Sequence, residues 1–185
     1  YVEKMIELGQ TKKGLKRLGA LNLSTDYLQA TGKYLKGRAY VLRDDITDND
    51  IKAKKLFEKS LQYLRSSTEF DALNLEASCY NQLAQISYYY NDFNKAVEYT
   101  DLGIAAHNKK AEKRYLIYSL LMNKVVYCNK LGHYDSAAKI LDDLWKQIDK
   151  INHTDVIANM HDIQAEIYIK SGMYSKAIKL AERGL

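Results

Sequence analysis

The side chains with the clearest capacity for chemistry in this sequence are carboxamides and tyrosines at helical spacing. Asn81, Gln85, Tyr88 and Tyr89 follow one another at intervals that place them near one face of a helix. A carboxamide carries both a donor and an acceptor, so it can satisfy the N–H and C=O groups of an extended peptide whatever its side chains. These residue types favour recognition of a polypeptide backbone over catalysis.

Catalytic and metal-binding patterns are absent from the sequence. No two histidines have the i, i+4 spacing of a helical metal site, and Cys79 and Cys128 are too far apart for a Cys-x-x-Cys motif. Both cysteines have apolar helical neighbours, which predicts buried, reduced thiols. We therefore predict no catalytic residue, no metal and no cofactor. The histidines are His107, His133, His153 and His161.

Composition restricts the class of protein. The chain has 185 residues, 46% hydrophobic and 28% charged, with no proline and 16 tyrosines, which favours an all-helical folded protein. A net charge of +5 is too small to indicate nucleic acid as a direct partner. With no 18-residue apolar run and no secretory signal, we expect a cytoplasmic protein without a membrane span. Because the chain begins with Tyr1, we expect a fragment, whose missing module would make any nucleic-acid contact.

The segment 77–104 reads as two amphipathic helices joined by a very short turn. Apolar residues recur at helical spacing up to Tyr88 and again from Phe93 onward, and the pattern is broken at Asn91 and Asp92. Asn tolerates the left-handed conformation that ends a helix, and Asp accepts hydrogen bonds from the free N–H groups that begin the next one. The sequence therefore predicts a helical hairpin here.

Similar turns recur along the chain at residues 9, 48, 91, 132 and 172, with spacings of 39, 43, 41 and 40. A period of this length accommodates two helices and two turns, so we predict an all-α solenoid of stacked hairpins. One repeat domain of about four and a half hairpins would then cover residues 1–185. The predicted helices are 1–8, 11–21, 26–43, 50–65, 70–90, 93–107, 112–130, 134–149, 155–170 and 174–184.

The repeated residues resemble those of the tetratricopeptide repeat (TPR) family. In that family, large and small residues mark the first helix, Gly and Tyr mark the turn, and Ala marks the closest helix contact. The resemblance implies a right-handed superhelix with a concave groove that binds proteins or peptides. The period near 40 exceeds the usual length of about 34, and the closing proline is absent. The matching residues are Leu83, Ala84, Asn91, Phe93, Ala96, Val125, Gly132, Tyr134, Ala137, Ala165, Tyr168, Gly172, Tyr174 and Ala177.

In its long helices and its Tyr- and Lys-rich composition, the chain is also similar to the repeat domains of Gram-positive peptide-pheromone receptors, the Rap, Rgg, NprR and PlcR group. This resemblance implies the ligand-sensing part of a bacterial quorum-sensing transcription regulator, with a short peptide as ligand. The alternatives are a general protein interaction scaffold and the repeat domain of a response-regulator aspartate phosphatase.

The first helix of each hairpin lines the concave wall of such a solenoid, so the binding residues are expected there. Met122 and Val126 would form a pocket for one apolar side chain, and only one of Tyr88 and Tyr89 is expected to face the groove. A homodimer through the apolar face of 157–185 is a further expectation. The predicted groove residues are Arg38, Asn81, Gln85, Tyr88, Tyr89, Met122, Asn123, Val126, Asn129, Asn159, Asp162, Glu166 and Lys170.

Overall fold

The computed structural model describes residues 1–42, 48–151 and 154–183. Within these ranges the chain forms α-helices, one 3-10 turn at Ile148–Lys150 and no β-strand, which confirms the predicted all-α class. The helices are α1 (Val2–Glu7), α2 (Thr11–Gly19), α3 (Asp26–Val41), α4 (Asn49–Ser66), α5 (Leu75–Tyr89), α6 (Phe93–Ala106), α7 (Leu116–Lys130), α8 (Tyr134–Trp145), α9 (Thr154–Lys170) and α10 (Tyr174–Arg183).

Each turn between the two helices of a hairpin contains one residue with a left-handed backbone conformation. A positive φ crowds a Cβ against the following carbonyl, and Gly, Asn and Asp tolerate this best. In the third turn, the Asp92 carboxylate accepts a hydrogen bond from the Lys95 N–H at 3.1 Å, as a helix cap does. Each turn is thus a local property of its own residues. The left-handed residues are Gly9 (φ 74°), Asp48 (65°), Asn91 (59°), Gly132 (78°) and Gly172 (73°).

Replacing Asn91 with glycine is expected to raise the free energy of unfolding by about 0.5–1 kcal/mol, because glycine adopts a positive φ without the steric cost that asparagine retains. Urea titration followed by far-UV circular dichroism measures the change. Gly132→Asn makes the opposite substitution in the next turn and should lower stability. A destabilised Asn91→Gly variant would contradict this account of the turns.

Small residues let the two helices of a hairpin approach closely. Ala53, Ala96 and Ala137 each lie five residues after a left-handed turn residue and are fully buried. Gly14 has the same place in the first hairpin, where an added Cβ would lie 3.0 Å from Cγ1 of Ile6. Larger side chains at these positions would force the helices apart.

The hairpins stack into an α-α solenoid. Helices α3, α5, α7 and α9 contact one another in succession and form an inner layer, and α4, α6, α8 and α10 pack outside them. Helix α5 lies at the centre of this stack, and eleven of its fifteen residues are buried. The Tyr88 ring of α5 stacks on the Tyr127 ring of α7 with centroids 5.1 Å apart, which joins consecutive hairpins through a shared cluster of buried residues.

Three predicted helix ends differ from the structure by four residues or more. Helix α5 begins at Leu75 rather than at residue 70, because the Asp71 carboxylate accepts hydrogen bonds from the N–H groups of Leu75 (2.8 Å) and Glu76 (2.9 Å) and so caps the helix there. Helix α7 begins at Leu116 rather than at 112, after a left-handed residue at Lys113 (φ 54°). Helix α8 ends at Trp145, before the 3-10 turn. The predicted ends at 43 and 184 fall outside the described residues.

Two predictions concern the surface of the described residues: that no helix spans a membrane, and that the last hairpin forms a homodimer. None of the described helices has both the length and the apolar character that crossing a bilayer requires. In the last hairpin Ile169, Tyr174 and Ile178 are more than half exposed. Homodimerisation through this hairpin stays a prediction.

Candidate functional site

A cleft of about 800 Å³ lies between α3, α5, α7 and α9, and is called the inner cleft below. This volume lies within the range of about 300–1,000 Å³ typical of ligand-binding sites. Seven residues predicted from the sequence line it. They are Arg38, Asn81, Gln85, Tyr89, Met122, Asn123 and Asn159.

The inner cleft crosses the inner helices diagonally. It uses the last turns of α3 and α5, the first half of α7 and only the first turns of α9. The successive inner helices are therefore displaced along their axes where they border the opening. Residues at equivalent distances from their turns consequently do not all face the same opening.

Carboxamides form the polar wall of the inner cleft. The Asn123 Nδ2 group of α7 donates to Asn81 Oδ1 of α5 at 2.9 Å, and Gln82 Nε2 donates to Gln85 Oε1 at 3.2 Å. Asn81 and Gln82 are 7% exposed, so these amides are largely withdrawn from water. Asn123 is half-buried and bonded rather than fully solvated. The wall therefore presents paired donors and acceptors that can exchange partners when a ligand arrives.

Arg38 supplies a positive charge at the α3 end of the inner cleft. Its guanidinium donates a long hydrogen bond of 3.4 Å to the Tyr34 hydroxyl. Among the described residues, no carboxylate forms an ion pair with Arg38. Asp50 at the start of α4 lines the same cleft and is its one described acidic residue. A guanidinium that lines the cleft at this end favours an acidic group of a ligand.

The two adjacent tyrosines divide as expected, since only one of them lines the inner cleft. Tyr89 lines it and is 72% exposed. Tyr88 turns into the core, where its ring packs against Phe93 (5.6 Å between centroids) and Tyr127. Tyr88 therefore supports the helices that hold the cleft.

Five other predicted groove residues lie outside the inner cleft: Val126, Asn129, Asp162, Glu166 and Lys170. Val126 packs into the core between hairpins, so it does not form a pocket with Met122. Asn129 is buried and interacts with the Glu166 carboxylate, whose pKa is held below its ordinary value by Lys170 first and then by Asn129. Asp162 is exposed on the second half of α9. All five lie nearer the turns than the part of α7 and α9 that borders the cleft.

Sequence reasoning missed seven lining residues. Most share a helix face with a predicted residue: Gln82 precedes Gln85 by three positions, and Ser119 precedes Asn123 by four. Helical periodicity starting from the correct residue would have found them. Asp50 lies on an outer helix, so periodicity along the inner helices could not predict it. The missed residues are Val41, Leu42, Asp50, Gln82, Leu116, Ser119 and Val156.

The described residues show no arrangement suited to nucleophilic or metal chemistry. Both cysteines are free and buried, and burial raises the pKa of the Cys79 thiol to about 12 and also raises that of Cys128. The His107 ring contacts the Arg114 carbonyl, whereas the His161 ring packs edge-on against Trp145. These two histidines therefore have separate partners. Within the described ranges, no three His, Cys, Asp or Glu residues form a metal-binding group.

Comparison with known proteins identifies the fold. No protein-family model matches the chain, and no curated protein matches it. Solved structures that match include the TPR-like repeats of a Podosopora anserina protein assigned as a kinesin light chain, and a point variant of it. Each is 16% identical and covers 98% of this chain and 88% of its own, with TM-scores of 0.65 and 0.66. At this identity the likeness establishes the fold alone, and the chain is therefore a TPR-like helical repeat protein.

Proposed function

We propose that this chain is a protein interaction module whose inner cleft binds an extended segment of a partner polypeptide. The observation that carries the proposal is the row of carboxamides along a cleft of about 800 Å³ in a TPR-like solenoid. A scaffold role fits a fold of stacked hairpins, whose extended inner surface is suited to long, thin ligands.

The chemistry of the inner cleft matches an extended backbone. Such a segment presents an unpaired N–H and C=O at each residue, and both must find partners when water is excluded. In the free protein Asn123 Nδ2 donates to Asn81 Oδ1, so these two groups are paired while the cleft is empty. Met122 and Val156 add apolar contact beside them, and Arg38 favours an acidic side chain at the α3 end.

Selection from phage-displayed random dodecapeptides on the immobilised chain tests the proposal. We expect enriched peptides, and a fluorophore-labelled enriched peptide should bind about tenfold more weakly to Asn123→Ala than to the unaltered chain, because a backbone group loses its partner. Fluorescence anisotropy measures the affinity, and thermal unfolding checks that the variant is folded.

Asn94→Ala is the matched control, since Asn94 is an exposed asparagine on the outer helix α6. It should leave the peptide affinity unchanged. Equal affinity of the Asn123→Ala variant and the unaltered chain would contradict binding in the inner cleft. Selection without any enrichment would contradict the proposed function as a whole.

The narrower role of a quorum-sensing regulator is supported by the sequence resemblance to pheromone receptors and by the amide-lined cleft. Its ligand is a free short peptide, whereas a scaffold binds a segment within a longer chain. Titration with the free enriched peptide and with the same sequence inside a longer unfolded carrier separates the two. A peptide sensor favours the free form, and a scaffold binds both forms equally.

A further inference from the structure

A second, smaller pocket of about 230 Å³ lies beside the inner cleft, between the start of α4 and the turn that joins α5 to α6. We call it the side pocket. Its apolar lining comes from Ile51, Ile86 and Tyr90, and its charged lining includes Lys54 and Lys95. None of these five residues lines the inner cleft.

The side pocket adjoins the inner cleft. Asp50 lines both of them, so the two cavities meet at this side chain. The neighbouring tyrosines divide in the same way, since Tyr89 lines the inner cleft and Tyr90 lines the side pocket. For a chain that leaves the inner cleft past Asp50, the side pocket is therefore the adjoining cavity.

The side pocket has the size and the lining of a site for one apolar side chain. Ile86 is 5% exposed, and the more exposed Ile51 and Tyr90 stand beside it. A dry apolar cavity of about 150 Å³ holds a benzene ring, so 230 Å³ accommodates a leucine or phenylalanine side chain. Lys95 pairs with Glu98 at 2.8 Å. The rest of the lining is polar, so three apolar side chains stand beside a mixed polar rim of Asp50, Lys54, Ser87, Asp92 and Lys95.

We propose that the polypeptide segment bound in the inner cleft continues past Asp50 and inserts one large apolar side chain, leucine, isoleucine or phenylalanine, into the side pocket. This inference rests on the proposed function, because the segment must first occupy the inner cleft. The amides of the cleft bind any backbone, whereas the side pocket discriminates between side chains. Sequence selectivity of the module therefore comes mainly from the side pocket.

A double-mutant cycle between protein and peptide tests the inference. The probe is a dodecapeptide enriched on the unaltered chain, together with the same peptide carrying alanine at its apolar position. On the unaltered chain the alanine peptide should bind about ten- to hundredfold more weakly. On Ile51→Asp this difference should shrink to about twofold, because a carboxylate in the pocket wall removes the apolar environment.

The substitution suits the fold because Ile51 is exposed and lies in the first turn of α4, where an acidic residue is favourable. Ile178→Asp, at an exposed isoleucine of α10, is the matched control and should preserve the full difference between the two peptides. Tyr90→Ala is a second variant of the same pocket and should reduce the difference if Ile51→Asp fails to fold.

Failure of this inference differs from failure of the proposed function. Peptides that bind in an Asn123-dependent manner, but whose apolar position shows no coupling to Ile51 or Tyr90, would overturn the side pocket and leave the inner cleft in place. Absence of any enriched peptide would overturn both.

Discussion

Replacement of Phe57 by alanine is expected to lower the free energy of unfolding by about 3–5 kcal/mol, which is the usual cost of removing a fully buried aromatic side chain. Phe57 is 0% exposed, and its ring packs against Tyr34 with centroids 5.9 Å apart. It also lies directly on α3 at Gly37, where an added Cβ would approach the ring to 2.6 Å. The backbone at Gly37 has no side chain with which to fill the resulting cavity.

Urea titration followed by far-UV circular dichroism measures the loss. Phe70→Ala is the matched control, because Phe70 is 57% exposed and its removal should cost less than about 0.5 kcal/mol. Similar losses in the two variants would contradict the view that the ring of Phe57 joins the two helices of the second hairpin.

Replacement of Asn74 by alanine is expected to cost about 2–4 kcal/mol, because it removes three hydrogen bonds and leaves buried backbone groups without partners. Asn74 is 1% exposed. Its Nδ2 donates to the carbonyls of Asn108 (3.0 Å) and Glu112 (2.9 Å), and its Oδ1 accepts from the Asn108 N–H at 2.7 Å. This one side chain therefore holds the segment between α6 and α7 against the segment before α5.

Hydrogen exchange locates the effect, since amides of residues 108–116 should lose protection in Asn74→Ala. Asn91→Ala is the matched control: Asn91 also has a positive φ (59°, compared with 52° for Asn74), but it is exposed and shows no side-chain hydrogen bond in the described part of the chain. Its loss should be about 1 kcal/mol, the cost of the backbone conformation alone. Equal losses would show that the hydrogen bonds of Asn74 contribute little.

The inner cleft depends on both of these supports, although neither residue lines it. Phe57 holds α4 on α3, and these helices supply Arg38, Val41, Leu42 and Asp50 to the cleft. Asn74 holds the segment that leads into α7, whose first turn supplies Leu116. Destabilising substitutions at either position are therefore expected to weaken peptide binding indirectly.

The hairpins and the fold class followed from the order of residues alone. Each turn needs a residue that tolerates a positive φ, and each pair of helices needs a small residue where they approach. Both requirements act within about ten residues of one another, as at Asn91 and Ala96. Local requirements of this kind leave a repeating mark in the sequence, and so the solenoid was predictable without coordinates.

The inner cleft was predictable only in part. The sequence placed Asn81 and Asn123 on the inner layer, and they hydrogen-bond to each other although they are 42 residues apart. The sequence could not show that Asn123 lines the inner cleft whereas Val126 and Asn129 do not. The exposure of these residues depends on how far each hairpin is displaced against the one before it. That displacement is set by packing between hairpins, not by the residues of one helix.

Contacts between segments that are distant in the sequence depend on the tertiary structure alone. Lys113 pairs with Glu3 at 2.6 Å across 110 residues and lies 5.7 Å from the centre of the Tyr34 ring, a contact that no spacing rule anticipates. The side pocket likewise forms where α4, α5 and α6 meet. Periodicity within a helix reports which face is buried, whereas the meeting of faces from different hairpins depends on the curvature that the whole stack adopts.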